Sequence, residues 1–369
     1  MMTATGAWPD HSSITYNIKA LFFHAFTIGL FVTMSMQVIF NLNDFTNLSE
    51  ILYIMVTVTG YVVKQCALTY KRNVFVNLIQ FLKDPLFLSY PDELDHYMFE
   101  TVKKSTLIAN VYRFSIAFCI VLFTVYPILE NKPLPFPFPY DLGNYRYFMY
   151  AFQIISVGVC AWNNCTIDTL TTSLMGIAAA QLDILYEKLI VIRKESQEND
   201  DVPYCEKSEE DILLKLRQCV EHHNAIIHLV ESIEDIFTVG LLAQFTCSII
   251  VICNTVFYII LMWTINSQFV MLLDYLIILM LQLFMYCWYG NEIILKSVKI
   301  GEACYKFNWC DSGTPVRQTL FIIMERSKRP LTITTVKLST LSLSAYKSIL
   351  QWSYSCLALL LKMEQQRKN

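Results

Sequence analysis

The sequence predicts an all-α integral membrane protein with seven transmembrane helices, the N-terminus cytosolic, the C-terminus extracellular, and helices 4–6 projecting into the cytosol. Composition is the first reason. Of 369 residues, 55% are hydrophobic and 16% charged, against about 25% charged in an ordinary soluble chain; the mean hydropathy is +0.42. The second reason is the gathering of apolar residues into seven blocks, each near the roughly 20 residues that cross a ~30 Å hydrocarbon core. The third is charge. Seven crossings define two sides, with twenty Lys and Arg on the side of the N-terminus and five on the other. The positive-inside rule puts the richer side in the cytosol.

The blocks cover 18–40, 51–70, 105–129, 147–167, 236–263, 269–289 and 341–361. Length alone would suggest two or three soluble domains. The low charge points instead to one membrane domain over 1–369: a cytosolic segment 1–17, helices 1–6 within 18–300, a cytosolic helix 313–329 and a last helix 341–363. The first block is too long for a signal-peptide core and follows no basic segment, so it reads as a retained anchor. The fourth is the most polar, with Asn163, Asn164 and Asp168 at its end. Trp and Tyr near many block ends fit interface belts.

On the cytosolic side, Ile212, Leu216, Val220, His223, Ile227, Val230, Ile233 and Phe237 recur at amphipathic spacing and run into the fifth block. The polar run 194–201 reads as a loop. Residues 315–328 read as a second helix, capped by Ser312 or Thr314 and stopped at Arg329-Pro330. No internal repeat supports an inverted-repeat transporter. On the other side, Lys-Pro-Leu-Pro-Phe-Pro-Phe-Pro-Tyr at 132–140 is stiff and extended, either a lid over the outer helix ends or a rigid connector. Asn47-Leu-Ser is a glycosylation sequon on that side; Asn164-Cys-Thr lies at membrane depth, where it would be silent.

The net charge of −3 offers no basic footprint for nucleic acid. Most of the cysteines (Cys66, Cys119, Cys160, Cys247, Cys253, Cys287, Cys356) fall in apolar blocks and read as small buried hydrophobes. Cys219, His222, His223 and His228 share one helix, a spacing open to zinc but far more often that of residues lining a helix interface. No phosphate loop, nucleophile elbow or His-Glu-x-x-His motif is present, so neither an enzyme nor a cofactor is expected. Lys64, Arg113 and Glu292 lie toward cytosolic helix ends, where snorkelling suffices. Asp274 either borders an outer cavity or reaches the interface.

The last block carries a polar stripe. Ser344, Ser348, Gln351 and Ser355 fall within roughly 60° of one another at 100° per residue, and Leu359 and Lys362 continue that face with Met363 beside it. Two readings stand. Such a stripe lines a water-filled pore when several copies surround an axis, with an apolar constriction as gate; or the serines hydrogen-bond neighbouring helices, as expected of Ser342 and Ser353 on the opposite face.

The segment from Pro330 through Ser355 resembles the C-terminal signature of insect odorant receptors. The Pro-Phe-Pro-Phe-Pro-Tyr-Asp loop, the Glu221-His-His-Asn helix running to Gln244-Phe, and Tyr286-Cys-Trp-Tyr-Gly-Asn-Glu agree with it. One departure is Thr335-Val336-Lys337-Leu338, where that family usually has Ala-Gly-Lys-Phe. The resemblance implies a ligand-gated nonselective cation channel of four subunits in the plasma membrane of olfactory sensory neurons. It implies an odorant-tuning subunit that assembles with the odorant receptor co-receptor, whose longer cytosolic insertion this chain lacks. The last helices would form the central pore, with Leu359 and Met363 at the gate, and the projecting parts of helices 4–6 and the cytosolic helix would form the subunit contacts. This tips the stripe toward a pore.

The resemblance also implies an odorant pocket between the outer halves of helices two, three, four and six. Carried over by position, it comprises Tyr53, Ile54, Thr57, Phe118, Leu122, Tyr150, Ile154, Val157, Tyr275 and Leu279. That set is apolar and aromatic, suited to a small volatile ligand, with membrane lipid and conducted cations as the remaining partners. A gustatory-type receptor channel is disfavoured because its Thr-Tyr…Gln-Phe ending is absent. A G-protein-coupled receptor is disfavoured by the charge asymmetry and by missing Asp-Arg-Tyr and Asn-Pro-x-x-Tyr motifs.

Overall fold

The computed structural model describes residues 14–40, 45–88, 92–130, 134–136, 143–198, 206–262, 266–307 and 312–368. In chain order they form α1 (Ile14–Phe40), α2 (Phe45–Tyr70), the short α3 (Arg72–Phe81) and α4 (Pro85–Leu88), and α5 (Asp95–Leu129). Then follow α6 (Arg146–Glu198), α7 (Glu206–Met262), α8 (Ser267–Tyr305), α9 (Thr314–Ser327), strands β1 (Thr334–Thr335) and β2 (Ser339–Thr340), and α10 (Leu343–Lys368). The seven apolar blocks are α1, α2, α5, α6, α7, α8 and α10.

Among the described residues, α1, α2, α5, α7 and α8 contain segments long and apolar enough to cross a membrane. The other two fall short for chemical reasons. Asn163, Asn164, Thr166, Asp168 and Thr169 of α6 are polar, yet all are buried against neighbouring helices. The serines and glutamine of α10 lower its hydropathy from an exposed face. Helices α6 and α7 have 53 and 57 residues, which at about 1.5 Å per residue is roughly 80–86 Å, far more than a ~30 Å hydrocarbon layer. α6 is helical through 194–198, where a loop is expected from the sequence; the buried Leu189 and Ile192 keep the helix packed up to the start of that stretch.

α2 lies along α7, while α6 occupies the centre, touching α1, α5, α7 and α8. α9 and α10 both pack on α7 and α8. One apolar core runs from Leu30 and Met34 on α1 to Ile349 on α10. Leu21 and Phe22 on α1, and Leu107, Phe114 and Val121 on α5, are exposed instead, an apolar surface of the kind that lipid covers.

Local chemistry sets the ends. Asn266 caps α8 by accepting from Phe269 N at 2.9 Å. The cap of α9 is Gly313, with Pro315 in the first turn and no side-chain capping bond, which corrects the expected Ser312 or Thr314. Between β1 and β2, Val336 and Lys337 have φ of 51° and 59° and Leu338 N bonds Thr335 O at 2.9 Å, the geometry of a type I′ turn. Val336 thus holds a left-handed conformation where the resembling family has glycine. Thr238 holds the turn by accepting from Val336 N at 2.6 Å and donating to Thr334 O at 3.0 Å.

Candidate functional site

Between α2, α5, α6 and α8 lies a cavity of about 90 Å³. Tyr53, Ile54 and Thr57 enter it from α2, Val157 from α6, and Tyr275 and Leu279 from α8. The Tyr53 and Tyr275 rings meet edge to face at 5.4 Å, and the Tyr275 hydroxyl lies 2.5 Å from Thr57 Oγ1. The other four expected pocket residues do not line it. Phe118 is 45% exposed on the outer face of α5, Leu122 and Ile154 pack into the core, and Tyr150 Oη donates to Thr124 O at 2.5 Å.

On α5 the cavity is faced instead by Tyr112, Ile116, Cys119, Ile120 and Phe123. That i, i+4, i+7, i+8, i+11 stripe is rotated from the one containing Phe118. The apolar residues of α5 lie on every face of the helix, so no moment marks the inward one, although Tyr112 is a polar tip along the stripe. Phe136, in the described part of the proline-rich run, packs its ring at a tilt with its centroid 5.1 Å from that of Phe123 and pairs its backbone N–H with Gln153 Oε1 at 3.2 Å. Tyr126 Oη donates to Pro135 O at 2.7 Å. Residues 134–136 therefore pack against α5 and α6 beside Phe123, while the rest of that run lies outside the described residues.

The end of the cavity opposite Phe123 is polar, unlike the expectation from sequence. Asn164, Tyr112 and Gln282 line it, and all three join a network around Asp168, which is fully buried. Asp168 accepts from Lys64 Nζ at 2.6 Å, Tyr286 Oη at 2.7 Å, Tyr112 Oη at 3.1 Å and, closer still, Gln282 Nε2. Lys64 Nζ also donates to Asn164 Oδ1 at 2.9 Å. Lys64 is only 4% exposed, so the expected snorkelling is corrected: a buried cation is tolerable only when paired. Gln282 continues the network to Gln244 and Ser248 on α7.

The same helix carries the contact to α10. A methyl group on Gly290 would lie 2.5 Å from Leu341 Cβ, and Tyr346 Oη reaches Met280 Sδ at 3.9 Å. On α10, Ser344, Ser348, Gln351, Ser355, Leu359, Lys362 and Met363 are all exposed. Ser348 and Ser355 donate to Ser344 O and Gln351 O of their own helix, both at 3.0 Å. Ser342 and Ser353 do not bond neighbouring helices as expected: Ser342 caps α10 through Ala345 N and pairs with Ser344, and Ser353 donates to Ile349 O.

Other singled-out residues have structural partners. His222 Nε2 lies 2.9 Å from Gln181 Oε1, and His228 sits edge-on to Phe81; among the described residues no group of three or more His, Cys, Asp and Glu could hold a metal. Arg113 donates to Asn110 and Glu292 pairs with Lys296. Asp274 is half-exposed and touches the Cys119 thiol from outside the cavity. Cys66 and Cys356 are exposed, against the expectation that they are buried. The Asn47 side chain lies outside the described residues. A wider groove of about 630 Å³ between α5, α6 and α8 is rimmed by Lys104, Glu100, Asp183, Glu292 and Lys296, charges that pair with one another.

Comparison with known proteins places this architecture. The solved structure of the insect olfactory receptor OR5 from Machilis hrabei in complex with eugenol superposes with a TM-score of 0.86 at 15% identity, over 98% of this chain and 96% of that one. Odorant receptor 13a of Drosophila melanogaster is 25% identical over 96% of this chain and 92% of its own length. Odorant receptor Or2 of Anopheles gambiae and Putative odorant receptor 85d of Drosophila melanogaster are each 28% identical, with the match spanning 39% and 52% of those relatives. A family model described as 7tm Odorant receptor matches residues 44–354, and the chain belongs to that family.

Proposed function

We propose that this chain is an odorant-tuning subunit of a ligand-gated nonselective cation channel, binding a small volatile molecule in the cavity between α2, α5, α6 and α8. The observation that carries this reading is the cavity itself: walled by aromatic and aliphatic side chains, and joined at its polar end through Asp168 to α8, one of the two helices that α10 packs on. A ligand that fits the open arrangement better shifts the population toward it, and α8 is the element that touches both the cavity and α10. The exposed stripe of α10 has no covering partner among the described residues, as suits a helix facing a water-filled axis among four subunits.

In this reading the N-terminus is cytosolic, the long extensions of α6, α7 and α8 with α9 make the subunit contacts, and co-receptor subunits complete a heterotetramer in the plasma membrane. The solved receptor named for its complex with eugenol shares the fold, which supports a small-molecule site without naming this chain's ligand. Whole-cell recording from cells expressing the chain together with the co-receptor tests the proposal. Volatile-evoked cation current is expected. Surface-labelled protein that stays silent to a broad volatile panel refutes it.

A further inference from the structure

We infer that the cavity selects small neutral molecules that carry a hydrogen-bond acceptor, such as a carbonyl or ester oxygen, on an apolar body. The inference rests on the cavity being the ligand site, and it goes further by asking which polar groups there still lack a partner.

The lining keeps more unmet hydrogens than unmet acceptors, since the Tyr53 hydroxyl both donates and accepts while the Asn164 amide only adds hydrogens. Tyr53 lines the cavity and is 1% exposed, and its hydroxyl has no hydrogen-bond partner among the described residues. Asn164 is 9% exposed at the other end. An ammonium can only donate, so the Asn164 atom receiving Lys64 Nζ must be the oxygen, and the amide NH2, with two hydrogens, is the group left to the cavity. The other strong acceptors are committed: Asp168 takes four donors, and Gln282 Oε1 takes Gln244 Nε2 at 2.9 Å. Thr57 already donates to Tyr53 O and shares a contact with Tyr275. The free Asp274 oxygen lies outside the lining, behind Cys119.

A ligand bringing an acceptor satisfies a buried donor that is otherwise unmet. A ligand bringing only donors, and above all a protonated amine, finds no carboxylate within the lining that Lys64 has not already neutralised. The Tyr53 and Asn164 donors sit at different places along the wall, so an acceptor at either end of a compact molecule can be served. Each such neutral bond is worth about 2- to 10-fold in affinity.

The test uses the full chain co-expressed with the co-receptor and a size-matched series: octane, dipropyl ketone, butyl acetate and heptylamine. The ketone and ester are expected to act at concentrations at least about fivefold lower than octane, and the amine no better than octane. Tyr53→Phe, which removes one oxygen, and Asn164→Asp, which replaces the NH2 donor by an acceptor, should each lower ketone and ester potency about 2- to 10-fold while sparing octane. Ala161→Phe, which fills the cavity, separates the two claims. If currents survive Ala161→Phe, the cavity is not the ligand site and the parent reading falls. If Ala161→Phe silences the receptor but ketone, ester and octane are equipotent, or both donor variants leave their ratio unchanged, the acceptor preference is overturned. Should Asn164→Asp fail to reach the surface, Tyr53→Phe decides alone.

Discussion

The Lys64 ammonium lies 2.6 Å from the Asp168 carboxylate, with the two side chains 3% and 0% exposed, and the pair joins α2 to α6 directly beneath the cavity. Removing one partner leaves the other charge buried and uncompensated. Lys64→Met should therefore cost about 3–5 kcal/mol, read as a lowered thermal midpoint of detergent-solubilised protein. Adding Asp168→Asn should recover part of that loss, because it removes the uncompensated charge, its amide oxygen keeps one of the two tyrosine hydroxyls as donor, and its NH2 can donate to the other hydroxyl oxygen. A Lys64→Met protein as stable as the wild type would show that the pair carries no such load.

Gly290 sits where α8 meets Leu341, in the short link between β2 and α10. An added Cβ would lie 2.6 Å from Leu341 O as well as 2.5 Å from its Cβ, and neither can yield without moving the β2–α10 junction. Gly290→Ala should destabilise by about 1–3 kcal/mol and change basal current. Normal stability together with unchanged gating would mean the junction relaxes freely.

Val336 occupies a positive-φ position that strains a β-branched residue. Val336→Gly should stabilise the chain by about 1 kcal/mol, since the left-handed penalty of about 1–2 kcal/mol outweighs the added freedom of glycine in the unfolded chain. A calorimetric or fluorescence midpoint that falls on this substitution contradicts the strain.

His222 and His223 lie on the part of α7 that precedes its apolar stretch at 236. Burial, with Lys188 and His223 adding to it, holds His222 down to about 3. Burial, with Arg326 beside it, holds His223 down to about 4. An unfolded histidine titrates near 6.5, so between about pH 6.5 and 4 the unfolded chain binds more protons than the folded one. Stability is full above about 6.5 and falls with acidification, by up to about 1.4 kcal/mol per pH unit for each histidine. His222→Gln, able to keep the bond to Gln181, should flatten the decline of the thermal midpoint between pH 7 and pH 5; an unaltered slope would remove His222 from this role.

Leu359 and Met363 are 61% and 54% exposed on the stripe of α10. If they form the apolar constriction, Leu359→Ala should raise basal current severalfold by easing hydration of the axis. Unchanged leak at equal surface expression would count against a gate at Leu359.

Much of this protein is legible in its sequence because hydrophobic length and periodicity are local properties. The seven helices follow from apolar runs, and the amphipathic spacing from Ile212 to Phe237 continues α7 below its apolar stretch. The stripe of α10 could be read because its serines and glutamine stand out against leucines. The inward face of α5 could not, since Phe118 and Ile116 are equally apolar and only packing against α6 and α8 decides between them. Tyr53, Thr57, Val157 and Tyr275 share the cavity, while Phe118 turns outward.

By itself the sequence determined that the chain is membrane-embedded, that its long apolar runs are helical and which face of α10 is polar, because burial in lipid requires continuous apolar runs and intrasegment hydrogen bonding. The tertiary structure alone decided that Lys64, Tyr112, Asn164, Asp168, Gln282 and Tyr286 meet at one point. These residues come from four helices far apart in the chain, and their polarity marks each only as costly to bury. Which partners meet that cost depends on how the helices cross, and no local pattern encodes it.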